Sequence, residues 1–249
     1  MKIFLILLFL IPLYSVKAEN LEALRIAVAS NFITTARQLV SEYQKQTPQN
    51  IVLSSGSTGK LTTQIRFGAP FDLFLSADLA HPQKLITQQL ALADTLQAYA
   101  IGQLVLISRQ PSITPSTLSA IDKSLHIAIA NPNIAPYGVA GRDWLQANLT
   151  NIEQHRVIMG ENINQTWHYF INGGADLALV ALSQIKTQQA LEFKYWQLET
   201  PAKQLQQFAV QLTRTEQPAA AQNFLAFLVS PSAQKIIETA GYRLPKALR

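Results

Sequence analysis

Four short segments place hydroxyl, carboxamide and glycine residues where an apolar run gives way to a helical pattern. The first is Ala29-Ser30-Asn31-Phe32, in which Ser30 and Asn31 are both residue types that favour helix N-caps. The second is Ser54-Ser55-Gly56-Ser57-Thr58-Gly59-Lys60, where glycines among hydroxyls let backbone amides approach a ligand. Leu61 follows Lys60, so the spacing of a nucleotide-binding phosphate loop is absent. The third is Asn131-Pro132-Asn133-Ile134-Ala135-Pro136-Tyr137-Gly138, stiffened by two prolines. It predicts a helix opened by Gly138, with the Tyr137 amide facing the strand ends. The fourth is Gly160-Glu161-Asn162-Ile163-Asn164-Gln165, where Asn162 reads as an N-cap that leaves the Ile163 amide free to point outward.

Each segment alone has a plain reading as a cap, a Ser-rich turn or a rigid connection. Together they describe one site built from helix N-termini, hydroxyls and amides. Such a site suits a multivalent oxyanion. Neutral donors can hold a dianion if they are preorganised and shielded from water. They also discriminate, because a protonated phosphate brings a proton that needs an acceptor.

The elements that must position these segments follow from apolar periodicity. Strands are predicted at Leu24–Ala29, Ile51–Leu53, Asp72–Leu75, Leu104–Ile107, Ile127–Ala130, Ala175–Leu182 and Phe208–Leu212. Helical spacing follows most of them: Ile33, Ala36, Leu39, Val40 and Tyr43; Leu61 and Ile65; Leu79, Leu85 and Leu90; and Gly138–Leu149. Asn223–Leu228 and Ala233–Thr239 read as closing helices, the second with Ser232 as its N-cap. No internal repeat stands out. Strand–helix alternation predicts an α/β protein with largely parallel sheets. Such sheets place ligands at the carboxyl ends of their strands.

Composition removes several classes of function. The 249 residues include no Cys, which excludes disulfides, thiolate metal sites and cysteine nucleophiles. Residues 1–18 combine Lys2, the apolar run Ile3–Ile11 and the ending Val16-Lys17-Ala18, and read as a secretory signal peptide cleaved after Ala18. Its removal lowers the formal charge from +5 to +3. Without a Cys at the cleavage site, no lipid anchor is expected, and the periplasm is the predicted location. Dispersed Lys and Arg give no face for nucleic acid or a membrane. Lys60 and Arg142 follow two of the junctions and either add field to the site or lie on a solvated surface.

An enzyme would need a base and nucleophile, or a metal. Asp72, Asp78, Glu161, His155 and His168 show no such spacing, and no Ser lies in a Gly-x-Ser-x-Gly elbow. Asp78 reads as a strand-end carboxylate that caps the next helix, and His168 as an ordinary helix residue.

Several motifs, in this order along the chain, resemble the periplasmic molybdate-binding proteins of ABC uptake transporters. They are Ala-Val-Ala-Ser-Asn-Phe (27–32), Ser-Ser-Gly-Ser-Thr-Gly (54–59), Gly-Ala-Pro-Phe-Asp-Leu-Phe-Leu-Ser-Ala-Asp (68–78), Tyr-Ala-Ile-Gly-Gln-Leu-Val-Leu (99–106) and Ala-Asn-Pro-Asn-Ile-Ala-Pro-Tyr-Gly (130–138). Gly-Gly-Ala-Asp-Leu-Ala-Leu-Val-Ala (173–181) and Ala-Gly-Tyr-Arg-Leu-Pro (240–245) complete the set.

The resemblance implies a two-lobed, type II periplasmic-binding-protein fold. Lobe I would hold residues 19–100 and 208–249, and lobe II residues 101–207. Crossovers near 101–106 and 206–211 would form the hinge. It implies molybdate or tungstate as ligand, no cofactor, no catalysis, a monomeric state and an ABC permease as partner. Family ligand positions fall on Ser30, Asn31, Thr58 with Ser57 beside it, Tyr137 and Ile163. Ser30, Thr58, Tyr137 and Ile163 would touch the metal only through the oxygens of the oxyanion. A Tyr hydroxyl that some relatives use is replaced here by Val180-Ala181-Leu182. Thr58 keeps the hydroxyl of the more common Ser and adds a methyl group. The remaining alternatives are sulfate or phosphate binding, and an exported oxyanion-ester hydrolase.

Overall fold

The computed structural model describes residues 22–149, 155–187 and 193–246. The leader expected over residues 1–18 lies outside them. Strands β1 (Leu24–Ala29), β2 (Ile51–Gly56), β3 (Leu73–Ser76) and β4 (Gln97–Ile101) alternate with helices α1 (Ile33–Tyr43), α2 (Thr58–Arg66) and α3 (Ala80–Thr87). Next come β5 (Leu104–Ser108), β6 (His126–Ala130), α4 (Pro136–Asn148), β7 (Arg156–Gly160), α5 (Ile163–Ile171), β8 (Leu177–Ala181), α6 (Leu182–Thr187) and β9 (Lys194–Gln197). The chain returns through β10 (Gln206–Gln211), α7 (Pro218–Leu228) and α8 (Pro231–Thr239).

Two five-stranded sheets result, ordered β2-β1-β3-β10-β4 and β7-β6-β8-β5-β9. Both are mixed, where alternation predicted largely parallel ones. β1 runs parallel to β2 and β3, and β6 to β7 and β8. The strands that cross between lobes cause the difference. β5 arrives from the first sheet and pairs antiparallel with β8 and β9. β10 arrives from the second and pairs antiparallel with β3 and β4. The first crossing is only Gly102-Gln103, and the Gly102 amide donates to the Leu205 carbonyl of the second crossing at 2.9 Å.

The two sheets therefore repeat one topology, although the sequence shows no repeat. One small signature accompanies it. Asp72 and Asp176 each precede a Leu-x-Leu strand. Asp72 accepts the Arg25 amide at 2.7 Å, and Asp176 accepts the His126 amide at 2.8 Å. Each carboxylate thus pins the start of the neighbouring strand, β1 or β6, the first strand of its sheet along the chain to have parallel neighbours on both sides.

Packing explains which strands the sequence reveals. β3, β5 and β8 are buried throughout and read as apolar runs. β7 and β9 are edge strands with exposed faces and mixed composition, and the periodicity missed them. It also missed β4. In the first lobe, Leu39, Tyr43, Phe224 and Leu228 cover one face of the sheet, while Leu61, Ile65, Phe74 and Leu85 cover the other. In the second lobe, Leu145 packs with Leu106 and Ile129 on one side, and Trp167 and Phe170 with Val105 on the other.

Helix starts also shift. α8 is capped by Ser230, whose Oγ accepts the Ala233 amide at 3.3 Å, instead of by Ser232. α4 begins at Pro136, two residues before the expected Gly138. Gly138 is small because its backbone presses on the Ala130 carbonyl, leaving no room for a Cβ.

At the other end of α8, Gly241 takes φ +93°, and its amide and that of Tyr242 close the helix on the Glu238 and Ile237 carbonyls. A Cβ there would also press on Leu182 and Lys186 of α6. Gly241→Ala should cost about 1–2 kcal/mol from the left-handed backbone alone. Chemical denaturation checks this, and an unchanged midpoint would refute it.

Candidate ligand-binding site

All six residues singled out in the four junctions are buried, from 1% exposed at Thr58 to 6% at Ser30. All six lie at carboxyl ends of strands or the helix starts that follow them. Ser30 and Asn31 occupy a 3₁₀ turn, Ser30–Phe32, directly after β1. Neither caps a helix by its side chain, contrary to the N-cap reading; Phe32 precedes α1. Ser57 stands at the N-cap of α2 and Thr58 at its first position. Ser57 makes no side-chain cap bond, and its buried Oγ has no hydrogen-bond partner. Thr58 Oγ1 accepts the Ala77 amide at 3.4 Å. Tyr137 is the second residue of α4.

The fourth junction behaves as its sequence predicted. Asn162 Oδ1 accepts the Asn164 and Gln165 amides at 2.9 and 3.1 Å. The Ile163 amide, first in α5, is outside that cap. Three helices, α2, α4 and α5, thus begin at these segments, each with its positive dipole end toward them.

The segments are distant in sequence and meet in space. The Gly59 amide donates to the Ile134 carbonyl at 2.9 Å, which joins the second junction to the third. Lys60 Nζ lies 2.5 Å from Glu161 Oε1, which joins the second to the fourth. The Ser30–Phe32 turn packs against α5 and α6. Every one of these contacts bridges the two lobes.

None of the six side chains is charged. The neighbouring Lys60 and Glu161 neutralise each other, both about half exposed. Arg142 pairs with its neighbour Asp143 at 2.7 Å. The carboxylates and imidazoles weighed as catalytic groups are engaged elsewhere or apart. Asp72 Oδ1 accepts the Thr215 hydroxyl at 2.6 Å. Asp78 accepts the His81 amide at 3.1 Å and faces the His81 ring, the helix-capping role read from the sequence. His168 is exposed on α5. Among the described residues, no group of three or more His, Cys, Asp and Glu could hold a cation.

Sequence reasoning missed three neighbours. Gln184 is buried, accepts the Ala181 amide and donates to the Ile163 carbonyl and Asn164 Oδ1, all at 3.0 Å. It braces the start of α5. Ser183 Oγ donates to the Asn31 carbonyl at 3.2 Å, and Tyr242 reaches the same carbonyl. Tyr242 was visible only as part of the Ala-Gly-Tyr-Arg-Leu-Pro motif. Ser183 and Gln184 carry no local signal.

Burial pushes the Tyr242 phenol up to about 12, against the lowering effect of hydrogen bonds with Ser183 and Asn31. Burial, reinforced by neighbouring tyrosines, also raises Tyr99 and Tyr137. All three stay neutral, so the site gains no phenolate charge. An unfolded tyrosine ionises near pH 10. The stability these phenols confer is complete below that pH and is lost as pH rises toward 12. Denaturation midpoints should fall across this interval, alongside a late tyrosinate absorbance titration; a flat profile would contradict it.

A family model for bacterial extracellular solute-binding proteins matches residues 24–243. The molybdate-binding protein ModA of Azotobacter vinelandii is 34% identical over 232 residues, covering 91% of this chain and 92% of that protein. ModA of Rhodobacter capsulatus is 32% identical over 219 residues, covering 87% and 86%. Among solved structures, the periplasmic molybdate-binding protein of Azotobacter vinelandii matches with a TM-score of 0.82 and 38% identity, covering 90% of this chain and 100% of that one. The fold, the cleft and these similarities together show that the chain belongs to the bacterial extracellular solute-binding proteins.

Proposed function

We propose that this protein captures molybdate, or its congener tungstate, between its lobes and hands it to the permease of an ABC transporter. The observation that carries the reading is a buried set of uncharged donors at the strand ends, with Ser57 Oγ unspent and the Ile163 amide outside its cap. The similarity to proteins named as molybdate-binding supplies the ligand class. Ser30, Asn31, Ser57, Thr58, Tyr137 and Ile163 would surround the ion, the last two through backbone amides.

The chemistry follows from uncharged donors with no carboxylate among the six residues. A fully deprotonated tetrahedral dianion takes every donor as a charge-assisted hydrogen bond. Protonated phosphate would bring a proton that only hydroxyl or carboxamide oxygens could accept, each at the loss of a donor to the anion. Sulfate shares the charge and shape, so its exclusion would rest on cavity size. Catalysis has no support here, since Asp72, Asp78 and Glu161 are engaged in hydrogen bonds or an ion pair and no base–nucleophile pair is formed among the described residues.

In this reading residues 1–18 are removed on export to the periplasm. Residues 19–100 and 208–249 act as one lobe and 101–207 as the other, closing on the ion as a monomer. The closed pair of lobes would present one joint surface to the permease.

Calorimetric titration of the chain from residue 19 tests this with molybdate, tungstate, sulfate and phosphate in one buffer. One-to-one binding of the first two, with the last two silent, is the expected result. No heat with molybdate or tungstate would overturn the ligand assignment. Thr58→Ala and Ser57→Ala should each weaken binding about ten- to a hundredfold, the range for a hydrogen bond to a charged group. Wild-type affinity in both variants would remove that turn from the site.

A further inference from the structure

Asn31 is not free to choose its orientation. Tyr242 Oη donates to the Asn31 main-chain carbonyl at 2.7 Å, and the Asn31 side-chain Nδ2 donates back to Tyr242 Oη at 3.3 Å, the one bond that holds the carboxamide itself. Ser183 Oγ lies 3.0 Å from Tyr242 Oη and donates to the Asn31 carbonyl at 3.2 Å. All three residues are buried. A phenol has a single proton. The shortest contact assigns that proton to the Asn31 main-chain carbonyl, and Ser183, with one hydroxyl hydrogen of its own, donates to that carbonyl or to the Tyr242 oxygen. Asn31 Nδ2 carries a second hydrogen, which the network leaves unused.

The three residues come from three parts of the chain. Asn31 follows β1 in the first lobe. Tyr242 lies beyond α8 in the returning segment, aimed by the Gly241 cap. Its ring meets Phe32 edge-on at 5.2 Å, and Phe32 in turn meets Tyr99 at 4.8 Å. The hydrogen bonds between Asn31 and Tyr242 and the aromatic contacts that orient the Tyr242 ring thus lie within the first lobe. Ser183 belongs to α6 in the second lobe and reaches the pair only across the cleft.

We infer that Tyr242 and Ser183 are positioning residues for the Asn31 donor, with separate tasks. Tyr242 fixes the Asn31 carboxamide before the ligand arrives. Ser183 joins the pair once the lobes meet and holds them shut. This rests on the binding reading above. An ion entering the open cleft meets Asn31 already set, so Ser183 has no part in capture. Its bond must break before the cleft reopens, so Ser183 governs release.

Stopped-flow molybdate kinetics on the chain from residue 19 tests the division, read by tryptophan fluorescence. Ser183→Ala should release molybdate about five- to thirtyfold faster, the effect of one buried hydrogen bond. Its association rate and ligand-free melting temperature should stay within error of wild type. Tyr242→Phe keeps the ring on Phe32 and should both slow association and speed release. The double variant should fall short of the summed single effects, because both act on one network. An unchanged release rate in Ser183→Ala, a matching loss in its association rate, or full additivity would each overturn the inference. If wild type itself binds no molybdate, the ligand assignment fails first and this inference with it. Normal wild-type binding with unaffected variants overturns the inference alone.

Discussion

Water must be kept away from the donors, because nothing in the site carries a formal positive charge. A hydroxyl or an amide competes poorly with bulk solvent for an anion, and becomes effective only where solvent is absent and the group is already aimed. The rest of the architecture serves that requirement. Ser57 and Thr58 are as buried as core residues, although they stand at the start of a short helix. The opposite lobe meets this helix start through the Gly59–Ile134 hydrogen bond and the Lys60–Glu161 pair, while Thr58 Oγ1 also accepts the Ala77 amide of its own lobe.

The repeated topology explains why two lobes converge on one point. Each sheet has three adjacent parallel strands, β2-β1-β3 or β7-β6-β8, so each directs those strand ends and the helix starts that follow to the same edge. The exchanged strands β5 and β10 occupy equivalent places in the two sheets. With only two residues in one crossing, the sheets cannot drift apart. The helix dipoles of α2, α4 and α5 therefore add at the cleft. The polar atoms that shape this edge are spent within the protein where they serve structure: Asn162 on its own helix, Gln184 on α5, Asp78 on α3. Ser57 Oγ, at the start of α2, is left unspent.

The returning segment adds a second layer of order. Gly241 turns the chain so that Tyr242 enters the space between Phe32 and α6, and the aromatic contacts hold it there. The Asn31 turn is thus shaped by residues more than two hundred positions away. Burial of the phenols keeps them neutral, which preserves the uncharged character on which anion binding depends.

The sequence determined the local chemistry. Strand ends, the Asn162 cap, the Asp78 cap and the donor residues themselves are properties of short segments, and short segments carry them openly. The family motifs also marked Ser30, Asn31, Ser57, Thr58, Tyr137 and Ile163, and the structure buries all six. What required tertiary structure was any feature created by another part of the chain. The edge strands β7 and β9 lack apolar periodicity because neither buries one alternating face: β9 is exposed at three of its four residues, and β7 buries only Gly160 fully. Mixed sheets arise from the crossing strands, which look like any other strand. The α8 cap at Ser230 instead of Ser232 was settled by where the chain enters the helix. Ser183 and Tyr242 acquire their roles from the distant Asn31 turn, and Gln184 from the start of α5, about twenty residues earlier in its own lobe. A side chain's residue type is written locally, but its partner is set by packing, and in this protein packing decides which donors are left for a ligand.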